Sequence, residues 1–500
     1  MKLYTNQTIE FFGLRDFYSL IKSIQPNPSD VVEVWTAISR NFSGSAHDVS
    51  NVFKQDLQKK FPTFEPGTIP LTSIVETNLG ETDSRFLLLQ TNSHASLNLI
   101  SILLKGIIGE QGTWKPVFGS AFPGDKNFTE YCRNVRHIKT YMETGETVVL
   151  LNLSEIHESF YDALNQHYVT LGDKRYVDIG FKGHSVKTSI NQNFRLIIIE
   201  NKEKVQEYPI PLINRLEKHF LNAECLLKDS DIAKANDLKT WMETFVSLDF
   251  RLSDIFIGYQ EDFASCAILR SNGDIKSGKQ AILQTATLDA IYRLGDDNVD
   301  KLRYLKSNIH FNLMDLLIDA LLDKSKVHSS DMLNDPLQDK RKVHSFEVVT
   351  FSNILPAHSR LPIEKELNLP GNSVMILDLK AYEARHQLEE DLDCFLNRCK
   401  REISEEELTC TQGAVLILQC PQAERNGELM EFAKHVWDSK NKENLRIPIV
   451  VIILWSVERS VYTQSVRVQI CEEFQLVYLD EVDMLFSFIA ILSFDEVKFS

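Results

Sequence analysis

Long apolar runs are missing from this chain. Its most apolar stretches, residues 148–151, 196–199 and 449–455, have the length of strands, far short of the roughly 20 residues that span a bilayer. The opening run MKLYTNQ carries no apolar core behind basic residues, so neither a signal peptide nor a membrane span is expected. A basic excess is missing too: 54 Lys and Arg stand against 70 Asp and Glu, a net charge of −16. A duplex nucleic-acid reader needs a basic footprint to displace counterions, and no nucleic-acid partner is expected. The eight cysteines, at 132, 225, 266, 394, 399, 410, 420 and 471, form no CxxC pair and no Cys/His block. No metal site is expected from them; reduced thiols of a cytoplasmic protein are. Cys394 and Cys399 fall five apart in a helical stretch, a spacing that does not stack two thiolates on one face.

What is present is alternation. The first sixty residues read as helices, with Phe12, Leu14, Phe17, Leu20, Ile21 and Ile24 at three- and four-residue spacing, then Val31, Val34, Trp35 and Ile38. They hold too little apolar surface for a core of their own. Strands are read at 85–89, 147–151 and 194–199, followed by helices at 93–104, 154–168 and 212–221. Buried strands alternating with helices predict a parallel sheet covered on both faces. Residues 323–345 are polar and read as a linker. The alternation then resumes with strands at 373–377, 414–418 and 449–454. The division is therefore 1–60 as the tail of one module, 84–322 as a complete one, 323–345 as linker, and 346–500 as a second, truncated one.

Nucleotide hydrolysis needs a glycine loop around the phosphates, a lysine on them, and acidic groups that place magnesium and water. No GxxxxGK[ST] occurs in the chain. After the first strand the sequence runs LQTNSHAS at 89–96, without glycine or lysine, and the next strand ends in Asn152 and Leu153 where Asp-Glu would stand. Asn152 cannot hold a magnesium-bound water by charge, and Leu153 cannot act as a base. A later pair, Asp480 and Glu481, follows an apolar run but no phosphate loop, and reads as a surface strand end.

The runs FFGLRDFYSLIK, RNFSG, METGETVVLLNL, SFYDALNQHYVTLGDKRYVDIG, NFRLIIIENKEKV and PIPLINRLEKHFL resemble the mysterin family of giant AAA+ and RING-type E3 ubiquitin ligases, most densely over 117–221. The resemblance implies an α/β fold of tandem AAA+ (P-loop NTPase-like) modules with parallel sheets and helical lids. It implies a chain that starts in the lid of the fourth module, contains the degenerate fifth and enters the sixth. ATP and magnesium would belong to neighbouring modules, and zinc to an E3 part outside the chain. The partners would be the adjacent AAA+ modules and, through regions outside the chain, a ubiquitin-conjugating enzyme. In this frame Arg215, which follows a strand, a loop and a proline-started helix, matches an arginine finger acting in trans. The same spacing fits an Arg paired with Glu217 or Glu224. Arg15 matches a sensor-2 position of the preceding module, or an Arg at a helix start paired with Asp16. A stand-alone adaptor that docks on AAA+ partners is the alternative reading of the whole.

Overall fold

The computed structural model describes residues 12–44, 50–92, 96–109, 114–181, 184–246, 251–286, 313–322, 343–351, 353–400, 413–440, 447–457 and 474–479. The expected phosphate-loop position at 93–95, most of the 323–345 linker, and the Asp480–Glu481 pair lie outside them. The chain forms two compact units, one of Met1–Ser120 with Lys126–Leu226, the other of Ala121–Asp125 with Leu227–Ser500.

The first unit opens with helices α1 (Leu14–Ile24), α2 (Val31–Asn41), α3 (Ser50–Lys60) and α4 (Leu71–Gly80). Asp30 caps α2 by accepting from the Val32 and Glu33 amides at 2.8 and 3.2 Å, which satisfies donors a helix start leaves open. Leu20 of α1 packs with Trp35, Ala37 and Ile38 of α2 in a small core. The sheet follows, with β1 (Leu87–Thr91), β2 (Trp114–Phe118) and β3 (Thr147–Leu151), and with helices α5 (Ser96–Ile108) and α6 (Phe128–Thr144) between them. A separate antiparallel sheet of β4 (Val169–Leu171), β5 (Lys174–Phe181) and β6 (His184–Ile190) comes next. Then β7 (Arg195–Asn201) and β8 (Glu217–Phe220) complete the main sheet, in the order β2-β3-β7-β1-β8, every pair parallel. Leu87 to Leu89 and Ile197 are inaccessible to solvent, as strands covered on both faces must be.

Two expected helices are corrected. The one at 212–221 is a four-residue helix, Ile210–Ile213, that gives way to β8. The 212–221 stretch has helix-like apolar spacing at Leu212, Leu216 and Phe220, but Glu217, Lys218 and His219 are buried side by side in a strand. The helix at 154–168 is a 3₁₀ turn, Ser154–Phe160, and one α turn, Tyr161–Leu164, before the chain reverses into β4. The β4–β5 hairpin turns on Gly172 and Asp173, Leu171 pairing Lys174, and Gly172 takes φ +63°, a conformation that tight two-residue hairpins require.

In the second unit, helices Asp229–Glu243, Phe263–Arg270 and Ile275–Leu283 precede a sheet of β9 (Val343–Thr350), β10 (Val374–Asp378), β11 (Ala414–Cys420), β12 (Ile449–Ser456) and β13 (Gln475–Leu479). Its order is β10-β11-β12-β9-β13, again all parallel. With β4 to β6 set aside, the two sheets share one order: second, third, fourth, first, fifth. The helices reach the β13 edge, where the Tyr478 amide donates to the Gln284 carbonyl at 2.9 Å and Arg270 to the Phe474 carbonyl at 2.8 Å. Cys394 is exposed and Cys399 buried on their shared helix, Arg385–Cys399, so the two thiols face different surroundings.

Candidate arginine site

Arg215 sits where the short helix Ile210–Ile213 becomes β8. Its amide still closes a helical turn on the Leu212 carbonyl, at 3.0 Å, while the Glu217 amide already joins the sheet at the Phe86 carbonyl, at 2.9 Å. The residue is 4% exposed. Its guanidinium donates to Asn165 Oδ1 and to the Pro211 carbonyl and lies 3.7 Å from the centroid of the Tyr161 ring. It pairs with neither Glu217 nor Glu224, so the carboxylate-pair alternative does not hold. Arg15, exposed on the first turn of α1, also donates to Asn165 Oδ1, and not to Asp16. The two arginines therefore meet at one amide oxygen. They line a cleft of about 440 Å³ with Tyr18, Arg85, Asp162 and His167. Burial lowers the proton affinity of Arg215, and the charge of Arg15 lowers it further.

Beneath the cleft runs a buried ionic network that the sequence reading missed. Asp16, wholly inaccessible, accepts from the Gly13 amide at 2.8 Å, from Arg85 at 2.7 Å and from Lys218 Nζ at 2.7 Å. Burial lowers the pKa of Lys218 to about 8, against the opposing pull of Asp16. Glu217 accepts from Arg40 Nε and Nη2, both at 3.1 Å, from Asn78 at 2.8 Å and from His219 at 3.2 Å. Ser43 adds a bond to the Lys218 carbonyl, and Gly44 accepts from Gln90. The RNFSG run thus clamps the ends of β8 and β1. Helical periodicity at residues 31–38 and the polar run at 217–219 were each visible, but nothing in either pointed to the other.

Ligands of open parallel sheets bind beyond the carboxyl ends of the strands, where the strand order reverses. Among the described residues, the ends of β3 and β7 are engaged by the protein itself. Asn152 takes φ +52°, the left-handed conformation Asn tolerates, and its carbonyl abuts Gly119. Leu153 belongs to the main hydrophobic core. Asn201 caps the helix Lys202–Val205 through the Glu203 amide, at 2.8 Å. The buried Glu200 carboxylate accepts from Tyr208. His157, 3% exposed, stacks edge-on against Tyr208, and burial lowers its pKa to about 4. Arg195 donates to the Leu79, Gln192 and Phe194 carbonyls and so braces the sheet end.

Residues 76–227, the stretch that holds all eight strands of the first unit, match the family model of the RNF213 AAA domain. The chain is mysterin-like, of AAA+ architecture. It is 32% identical over 453 residues to the human E3 ubiquitin-protein ligase RNF213 and 30% over 447 residues to the mouse protein, 79% of the chain in each case. It is 38% identical over 288 residues, 52% of the chain, to the zebrafish E3 ubiquitin-protein ligase rnf213-beta. The chain spans 8%, 8% and 6% of the length of these three relatives. Among the described residues no helix is long and apolar enough to cross a membrane.

Proposed function

We propose that this chain is a non-hydrolysing AAA+ segment of a cytoplasmic, mysterin-type E3 ligase. It structures the motor ring and brings Arg215, as an arginine finger, with Arg15, as sensor 2, to the ATP of the preceding module. One observation carries the reading. Two arginines from motifs 200 residues apart, each assigned to the same neighbouring nucleotide, share one hydrogen-bond acceptor in one cleft. An always-charged, planar guanidinium suits a terminal phosphate. The apolar side of α1 supports the presence of a neighbour: Leu14, Phe17, Tyr18 and Ile21 are 71, 50, 66 and 49% exposed, and Tyr18 also lines the cleft.

Residues 1–60 would be the lid of the preceding module, 84–322 the degenerate fifth with its own lid, and 346–500 the sixth. Each compact unit then joins the helices of one module to the sheet of the next. That reading fits α1 and α2 on β8, and helices 229–283 on β13. The engaged ends of β3 and β7 and the core position of Leu153 support a module that does not hydrolyse. Ubiquitin transfer, with its conjugating enzyme, would belong to the parent protein outside this chain.

The test is ATP turnover by an RNF213-type protein carrying this segment. Arg215→Ala should lower turnover with nucleotide binding retained, by less than the about 10³–10⁵ of a sole arginine finger, since another module also hydrolyses. Arg215→Lys should rescue poorly, because an ammonium lacks the planar fork. Unchanged turnover with a lower melting temperature would leave Arg215 a structural residue.

A further inference from the structure

Asn165 ends the short helix Tyr161–Leu164, and its side-chain oxygen is the acceptor common to Arg15 and Arg215. Two cations that share one oxygen repel each other. A carboxylate at this point would offset that repulsion and form two charge-assisted bonds; the amide keeps the geometry without adding a negative charge. Among the described residues no carboxylate accepts a hydrogen bond from either arginine. Asp162 lines the cleft and acts on Arg215 through space. Asp16 is engaged below by Gly13, Arg85 and Lys218. Three cations, Arg15, Arg85 and Arg215, and one carboxylate, Asp162, line the cleft, a local excess of 3 − 1 = +2 in a chain whose net charge is −16.

We propose that Asn165 is a positioning residue whose neutral amide oxygen holds Arg15 and Arg215 side by side without placing a negative charge between them, so that the pair receives a dianionic phosphoryl group. That the group is the terminal phosphate of a neighbour's nucleotide rests on the reading above; the paired cradle itself belongs to this chain alone. Asparagine is the side chain that does this. Aspartate would occupy the cradle with its own charge, and a small apolar residue would let the guanidinium groups separate.

The experiment titrates sodium pyrophosphate into the 1–500 chain by calorimetry at constant ionic strength, with melting temperatures taken without ligand. The unsubstituted chain should bind, and Arg15→Ala with Arg215→Ala should not. Asn165→Asp should lose at least about tenfold in affinity, as one added charge at hydrogen-bond distance demands, while its ligand-free melting temperature holds or rises. Asn165→Ala should also weaken binding, with a ligand-free melting temperature within a few degrees of the parent. A merely structural Asn165 would move stability and leave affinity alone. Pyrophosphate binding that survives Asn165→Asp, or is absent from the unsubstituted chain, overturns the proposal. If these results hold but Arg215→Ala leaves ATP turnover of the larger protein unchanged, the cradle stands and the finger reading falls. If Asn165→Asp binds normally while Arg215→Ala slows turnover, the reverse is true.

Discussion

Glu217 is a carboxylate in a strand, 3% exposed, that accepts from Arg40, Asn78 and His219. Burial by itself would push its pKa up, but the hydrogen bond and charge of His219, with those of Arg40, pull it down from 4.5 to about 2. A carboxyl whose folded pKa is depressed contributes stability that is fully present above its unfolded pKa and is lost as pH falls through the folded one. The window is therefore pH 4.5 down to about 2, and the shift corresponds to about 3 kcal/mol. Glu217→Gln should be less stable than the parent near neutral pH by about that amount, because Arg40 is left buried beside a neutral group. The difference should shrink across the window, as seen in chemical denaturation at a series of pH values. A gap that stays constant down to pH 2 would mean that the buried charge is not what Glu217 contributes.

At the scale of elements, the close approach of two strand ends decides a local backbone. A Cβ on Gly119, just past β2, would lie 1.9 Å from the carbonyl oxygen of Asn152, just past β3. That oxygen is backbone and cannot swing aside. Gly119→Ala should cost about 1–3 kcal/mol, the usual range for overpacking. Gly106, exposed inside α5, has nothing within 4 Å of such a Cβ. Gly106→Ala should instead stabilise by up to about 1 kcal/mol through helix propensity. Denaturant melts of the two variants should move in opposite directions; a common direction would show that the fit at the β2 and β3 ends is looser than the geometry indicates. The same junction stands where a hydrolysing module would carry an acidic pair. Asn152 serves a left-handed turn and Leu153 a core, so restoring Asp-Glu here would bury a charge before it could place a metal.

For the molecule as a whole, the prediction is catalytic silence. The 1–500 chain with ATP and magnesium should release phosphate no faster than the buffer, since no lysine follows the first strand and Leu153 lies in the core where a base would stand. Magnesium-dependent release that copurifies with the chain would overturn the non-hydrolysing reading. The chain's net negative charge and the cationic cleft both respond to salt. Added salt screens both, so binding at the cleft should be compared at one ionic strength.

The alternation of buried runs with helices was legible in the residues themselves, and β3 spans the 147–151 read from them. A strand covered on both faces is a local property, written in consecutive side chains. So was the absence of a GxxxxGK[ST] run, because that motif is written in consecutive residues. What the tertiary structure alone decided is β8 and the cleft beside it. Glu217, Lys218 and His219 can be buried only because Arg40, Asn78, Ser43 and Asp16 reach them, the last across 202 residues. The cost of burying charge is met by partners that no window of sequence contains. The meeting of Arg15 and Arg215 at Asn165 has the same origin: each motif announces an arginine, and the packing of α1 beside β8 brings the two to one oxygen.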